Sequence, residues 1–209
     1  MAMSRLLLVR HGESVLNRAL RYSGQQETPL TLLGEAQHDR LRARLATEAI
    51  GRVVSSDLAR CMALAAGVAA DHGLAAEPDA ALREASFGAW EGLTYEEAMA
   101  RDRAAMVAFN RDLVTVAPPG GESFATVEAR ARARLDALLR EHKGRDGALL
   151  LVSHGGTLRA LLCSLLAIPQ ARFWTLRCDP GALTLLDVYP MGPIVATLND
   201  TCHLHGLEG

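Results

Sequence analysis

Short apolar runs alternate along the chain with longer segments in which apolar residues recur at helical spacing. The runs predict buried strands over residues 6–9, 52–55, 148–152 and 183–188. The helical segments predict helices that begin after Thr31, after Ser56 or Asp57, at Ser123 or Thr126, and at about Thr157. Strands that alternate with helices predict an α/β fold, a three-layer αβα sandwich with a mainly parallel sheet.

Residues 85–119 interrupt this alternation, because they contain no strong strand pattern and read as mostly helical. The helix that follows is expected to bury its apolar stripe and to turn Arg130, Arg132 and Arg134 mostly outward. A length of 209 residues suits one domain. We therefore predict a single domain over residues 1–209 with a helical excursion at about 85–119.

Composition and charge exclude several classes of protein. Hydrophobic residues make up 49% and charged residues 22% of the chain, and the net charge is −2, so no overall field favours nucleic acid or anionic lipid. The apolar run before Arg10 is too short for a signal-peptide core or a membrane span. Four scattered cysteines without metal-ligand spacing favour reduced thiols and no metal site. These features predict a cytoplasmic protein without membrane, nucleic-acid or metal partners.

Candidate phosphate ligands follow three of the predicted strands. Arg10 and His11 come directly after the first, Arg60 lies in the helix after the second, and His154 follows the third. Carboxyl ends of neighbouring parallel strands are where ligands bind in open α/β sheets. Arginine offers a planar fork of donors for phosphate, and histidine can act as a nucleophile near neutrality. The glycines after His154 open a helix whose N–H groups are also expected to favour an anion.

Each of these residues also has a plain structural explanation. Arg10 can be a surface charge, Arg60 can pair with Asp57, and His154 can be a turn residue. A histidine such as His11 is more often hydrogen-bonded than nucleophilic. Taken together, these explanations require repeated coincidence at three strand ends.

Six sequence blocks, in order, resemble the histidine phosphatase superfamily, the phosphoglycerate mutase-like proteins. The blocks are RHGES at 10–14 with Asn17, TPLTLLG at 28–34 with Gln37, SSDLAR at 55–60, LRE at 82–84 with FGAWEG at 87–92, GGES at 120–123, and VSHGG at 152–156. They extend over most of the chain, and their joint order is highly specific.

The resemblance implies a phosphomonoesterase that forms a phosphohistidine on His11, with Glu84 as general acid and base. It implies no metal and no cofactor. Without the motif, Glu84 is more simply explained as a surface charge paired with Arg83. The other implied site residues are Arg10, Arg60 and His154 as phosphoryl ligands, and Asn17, Ser23 and Gly24 as a substrate cradle.

Three functions remain open within this resemblance. FGAWEG at 87–92 resembles the phosphatase branch rather than the glycolytic mutases, which favours hydrolysis of a small phosphorylated metabolite. Phosphoglycerate mutase-type transfer and an inert regulatory or binding member of the fold are the alternatives. The substrate is not identified, and a homodimer is compatible with the resemblance. The excursion is expected to overhang the site, with rim candidates Tyr22, Arg83, Phe87 and Trp90.

Overall fold

Two strands with apolar, buried central residues form the centre of the sheet. The computed structural model describes residues 4–207. Strand β1 (Ser4–Arg10) lies parallel to β4 (Ala148–Ser153), with Leu8 opposite Leu151. Both strands are buried on their two faces, which is why each reads in the sequence as an unbroken apolar run.

The sheet has six strands in the order β3-β2-β4-β1-β5-β6. Strands β1 to β4 are mutually parallel, and β5 alone runs antiparallel to its two neighbours β1 and β6, so the prediction of a mainly parallel sheet is confirmed. The remaining strands are β2 (Ile50–Ser55), β3 (Ala76–Pro78), β5 (Leu183–Tyr189) and β6 (Gly192–Asp200). The edge strands β3 and β6 were not among the predicted strands.

Helices cover both faces of the sheet and complete the three-layer sandwich. Leu6 and Leu8 of β1 pack on one helical layer, and the alternate residues Leu7 and Val9 pack on the other. The first layer is α6 (Phe124–His142) with α7 (Gly155–Leu165), and the second is α2 (Leu32–Leu45) with α3 (Ala59–Asp71). Burial of each such leucine contributes about 1.5–3 kcal/mol.

The helix starts agree with the predictions in two cases and differ in a third. Thr31 caps α2 through its hydroxyl, which accepts the N–H of Gly34 at 3.0 Å, and Ser123 caps α6 by accepting the N–H of Thr126. The prediction of Ser56 or Asp57 as the cap of α3 is wrong. The Glu27 carboxylate accepts the N–H of Ala59 at 3.1 Å instead, an anion at the positive end of the helix.

Residues 85–119 contain helices and no strand. They hold a 3₁₀ turn (Gly88–Trp90), α4 (Tyr95–Arg101) and α5 (Arg103–Arg111). Their apolar residues pack away from the sheet, in a cluster with Phe124 at the start of α6. The other short elements are α1 (Val15–Arg18) and 3₁₀ turns at Ala80–Leu82, Gln170–Thr175 and Cys202–Leu204. Within residues 4–207 no helix has the length and apolar character to cross a membrane.

Candidate active site

The ends of three adjacent strands carry the predicted cluster to one edge of the sheet. Arg10 is the last residue of β1 and His11 follows it, His154 follows β4, and Arg60 lies in the first turn of α3 after β2. The rings of His11 and His154 lie edge to face, with their centres 5.0 Å apart. His11, His154 and Arg60 are nearly inaccessible to water. The structure therefore brings together the strand-end residues that the sequence singled out.

His11 has one ring nitrogen tied to the backbone. Its Nδ1 lies 2.6 Å from the carbonyl oxygen of Gly12, so Nδ1–H donates to that carbonyl. The Nε2 atom then carries the lone pair, and it has no hydrogen-bond partner within residues 4–207. Burial lowers the pKa of His11 well below its usual range, and the charges of Arg10 and Arg60 lower it further. The ring is therefore neutral at physiological pH.

His38 of α2 binds the backbone N–H of Gly12, the residue whose carbonyl group binds His11. The N–H of Gly12 donates to Nε2 of His38 at 2.8 Å, and the next N–H, that of Glu13, donates to Oε1 of Gln37 at 2.8 Å. A Cβ atom on Gly12 would stand 2.4 Å from the carbonyl oxygen of Gly34, so only glycine fits here. The sequence reasoning missed His38, whose signal was its position next to Gln37 of a recognised block.

Arg10 and Arg60 are held by backbone carbonyl groups. Arg60 donates to Gly24 at 2.6 Å and to Gln26 at 3.0 Å, and Arg10 donates to Cys178 at 2.6 Å. Burial lowers the pKa of Arg10. The Nε atoms of both arginines are buried and have no partner among the described residues. Two guanidinium groups with buried, unused Nε donors favour an anionic ligand at this end of the sheet.

The three residues predicted for the substrate cradle have distinct surroundings. The Ser23 hydroxyl is buried without a partner in the described part of the chain. The N–H of Gly24 donates to Glu91 at 2.9 Å, so this group is already used, and the Gly24 carbonyl supports Arg60. Asn17 accepts the N–H of Ser14 in the capping box of α1. Their contact with a substrate stays a prediction.

His154 is fixed by two side chains from the β2–α3 segment. Its Nε2 lies 2.8 Å from the Ser56 hydroxyl and 3.4 Å from Sγ of Cys61. Burial, followed by the neighbouring His11 ring and the charge of Arg60, lowers the pKa of His154 well below its usual range. Ser56 therefore contacts a site histidine rather than capping α3, a role that its sequence position alone did not indicate.

Glu84 reaches the site from the segment after β3 and binds the N-terminus of α7. Its carboxylate accepts the N–H of Gly156 at 2.8 Å and the N–H of Thr157 at 2.9 Å. We expected these N–H groups to favour a ligand anion, but the side chain of Glu84 occupies them. Arg83 pairs with Asp57 and not with Glu84, which excludes the plain explanations given above for both Glu84 and Arg60.

Arg130 supports the backbone behind Glu84. Its guanidinium donates to the carbonyl groups of Ala81, Arg83 and Glu84 at 2.8–3.0 Å, and it forms an ion pair with Glu122. The expectation that Arg130 points outward is wrong. These carbonyl groups lie in a segment without regular pairing, and the guanidinium supplies donors that a sheet would otherwise provide.

Comparison with known proteins decides the family. The family model described as histidine phosphatase superfamily (branch 1) matches residues 6–201. This chain belongs to the histidine phosphatase superfamily.

Several relatives of this histidine phosphatase are named as phosphatases. Phosphoserine phosphatase 1 of Hydrogenobacter thermophilus is 30% identical over 97% of this chain and 95% of its own. Glucosyl-3-phosphoglycerate phosphatase of Mycobacterium tuberculosis is 36% identical over 81% of this chain and 78% of its own. The crystal structure of the alpha-ribazole phosphatase from Shigella flexneri superposes with a TM-score of 0.86 at 32% identity, over 94% of this chain and 96% of that one.

The titratable residues of the site in this histidine phosphatase are not arranged as metal ligands. Within residues 4–207 there is no group of three or more His, Cys, Asp or Glu side chains arranged to hold a metal ion. Among the rim candidates, Tyr22 and Phe87 pack with their rings tilted and the ring centres 4.8 Å apart, whereas Trp90 is buried in the apolar cluster and Arg83 forms an ion pair with Asp57. Trp90 is therefore a packing residue.

The histidine phosphatase is expected to lose stability in mild acid through His38. Burial lowers the pKa of His38 from 6.5 to about 4, so below pH 6.5 the unfolded chain binds a proton that the folded chain rejects. Stability is thus lost as the pH falls from 6.5 towards 4. Between pH 7 and pH 5 this single group accounts for about 2 kcal/mol. Urea unfolding at both pH values measures the loss.

The variant H38Q, which cannot titrate, is expected to remove that part of the pH dependence. The matched change H205Q at an exposed histidine should leave it unaltered. An unchanged pH slope in H38Q would contradict the assignment.

Arg130→Met is expected to destabilise the histidine phosphatase by about 2 kcal/mol, because it leaves Glu122 unpaired and three carbonyl groups without a donor. Arg132→Met on the same helix removes a half-exposed pair with Asp136 and is expected to cost less than about 1 kcal/mol. Urea unfolding compares the two. Equal losses of unfolding free energy in the two variants would mean that the contacts of Arg130 with the Glu84 segment do not stabilise the fold more than the exposed pair does.

Proposed function

We propose that this chain hydrolyses a small phosphomonoester through a phosphohistidine on His11. The observation that carries the proposal is the neutral, buried His11 ring, whose Nδ1–H is tied to Gly12, while the charges of the buried Arg60 and the partly buried Arg10 act on it. A ring prepared in this way has its nucleophilic lone pair on Nε2. The phosphatase names of the relatives support hydrolysis as the reaction.

The first step forms a bond from Nε2 of His11 to phosphorus and breaks the bond from phosphorus to the ester oxygen. The protonated carboxyl of Glu84 gives its proton to the departing oxygen, so that an alcohol and not an alkoxide leaves. Arg10, Arg60 and His154 bind the phosphoryl oxygens and stabilise the charge on them. Asn17, Ser23 and Gly24 are proposed to complete the cradle.

The second step returns the enzyme to its starting state. The Glu84 carboxylate takes a proton from water as the water oxygen attacks phosphorus, and the bond from phosphorus to Nε2 breaks. Inorganic phosphate leaves, His11 is neutral again, and Glu84 is protonated for the next ester. No cofactor or metal takes part in the proposed cycle.

A cytoplasmic location is part of the proposal. Cys61, Cys163 and Cys178 are buried thiols, and no disulfide joins the cysteines of the described residues. Reduced buried thiols are typical of proteins that work in a reducing compartment.

The test is phosphate release from a panel of small phosphomonoesters, with EDTA present. We expect release with several esters, and an acid-labile phosphoenzyme after a rapid quench. Formation of 2-phosphoglycerate from 3-phosphoglycerate and 2,3-bisphosphoglycerate, without free phosphate, would replace the proposal by a mutase function. Failure to act on any ester would leave an inert binding member of the fold.

A further inference from the structure

A cavity of about 280 Å³ opens at the helical excursion, and its lining is mainly aromatic and apolar, with Asn110 as a polar residue. Among the residues that line it are Tyr22, Phe87, Tyr95, Leu113, Phe124 and Trp174. No charged side chain from residues 4–207 lines it. These residues come from four separate segments, so the cavity exists only in the folded chain.

The cavity adjoins the general acid of the proposed mechanism. A Cβ atom built on Gly156 would stand 2.5 Å from Oε1 of Glu84 and 2.9 Å from Cε1 of Phe124, so the carboxylate and one ring that lines the cavity both approach the position of Gly156. Phe87 follows Glu84 by three residues, and Tyr22 directly precedes the Ser23–Gly24 segment that supports Arg60. The five proposed catalytic residues do not line the cavity, so a leaving group reaches it by extending past Glu84.

The electrostatics of the cavity disfavour an anion. Burial raises the pKa of Tyr22, and the neighbouring Tyr95 and Glu96 raise it further. A carboxylate placed here would lose water without gaining a cationic partner. Phosphoserine and glucosyl-3-phosphoglycerate, in the names of two relatives, both carry carboxylates, so this cavity is poorly suited to them.

We propose that the cavity receives the leaving group of the substrate and that this group is an uncharged aromatic or apolar alcohol. The inference rests on the proposed phosphatase function and adds the substrate class. Aromatic walls bury a flat apolar group at little conformational cost, and ring pairs add to the burial.

The test compares three esters of similar intrinsic reactivity: benzyl phosphate, 4-carboxybenzyl phosphate and ethyl phosphate. The carboxylated ester differs from benzyl phosphate chiefly by one negative charge, and ethyl phosphate lacks the ring. We expect kcat/KM for benzyl phosphate to exceed both others by roughly tenfold or more, because only its leaving group buries apolar surface without burying a charge. Equal values, or a preference for the carboxylated ester, would overturn the inference.

A charge placed at the cavity mouth should change the preference. Tyr95 is 43% exposed, so Tyr95→Arg can be accommodated without disturbing the core. The ratio of kcat/KM for benzyl over 4-carboxybenzyl phosphate is expected to fall at least about fivefold in Tyr95→Arg. The matched variant Met191→Arg adds the same charge at a fully exposed site on the β5–β6 turn and should leave the ratio unchanged. The same kcat/KM ratio in Tyr95→Arg and Met191→Arg would contradict the proposal that the leaving group binds in the cavity.

The outcomes separate this inference from the function on which it depends. If the wild-type protein hydrolyses none of the three esters and none of the wider panel, the proposed function fails and the inference fails with it. If it hydrolyses all three without preference, the phosphatase proposal stands and the assignment of the leaving group is wrong.

Discussion

Phosphate release by the His11→Ala variant is expected to fall about a thousandfold or more below that of the wild-type protein. The substitution removes the atom that accepts the phosphoryl group and leaves Arg10 and Arg60 in place. The variant should therefore still bind inorganic phosphate while failing to form a phosphoenzyme. A rapid quench with ³²P-labelled ester, followed by electrophoresis at alkaline pH, measures the intermediate directly.

Two controls make this result specific. His205→Ala changes an exposed histidine and should retain full activity. Urea unfolding of His11→Ala should show a folded protein, since a neutral buried ring is replaced by a smaller apolar side chain without leaving a charge unpaired. Retention of the labelled intermediate in His11→Ala would assign the nucleophile to another residue.

Glu84→Gln is expected to slow hydrolysis of alkyl phosphates by roughly a hundredfold to a thousandfold and to spare p-nitrophenyl phosphate in the first step. An alkoxide needs a proton in order to leave, whereas nitrophenolate leaves without one. A burst of nitrophenol followed by slow turnover is the expected signature, because the amide cannot activate water in the second step. Stopped-flow absorbance records the burst.

A purely structural role for Glu84 predicts a different pattern. The carboxylate accepts two N–H groups of α7, and loss of these contacts would reduce activity towards both esters alike. Glu96→Gln, at an exposed glutamate near the cavity, is the matched control and should behave as wild type. Equal loss on the two esters would remove Glu84 from proton transfer.

The central strands and their ends could be predicted from the sequence because each strand is buried on two faces. The unbroken apolar runs around Leu8 and Leu151 have no other explanation in a chain of this composition, and polar residues directly after them must lie at an edge. The edge strands β3 and β6 gave weaker patterns, since they are short or partly exposed.

The supporting contacts could not be predicted, because they join segments far apart in the chain. His38 reaches Gly12 across 26 residues, Ser56 reaches His154 across 98, and Arg130 reaches Glu84 across 46. Helical periodicity places Arg130 on a half-exposed face, and nothing local indicates which carbonyl groups that face meets. A side chain that binds a distant backbone group leaves no periodic signal.

The position of β1 in the sheet has a consequence for the order in which the chain can fold. Although β1 is made first, its two neighbours are β4 and β5, so Leu8 waits for Leu151 and Thr184. On the ribosome the growing chain therefore holds the apolar run of β1 unpaired until β4 and β5 have emerged. Chains truncated before β4 are expected to aggregate and to depend on chaperones. The central position of β1 buries His11 in the folded protein. The same position makes the chain most prone to aggregation while it is being synthesised.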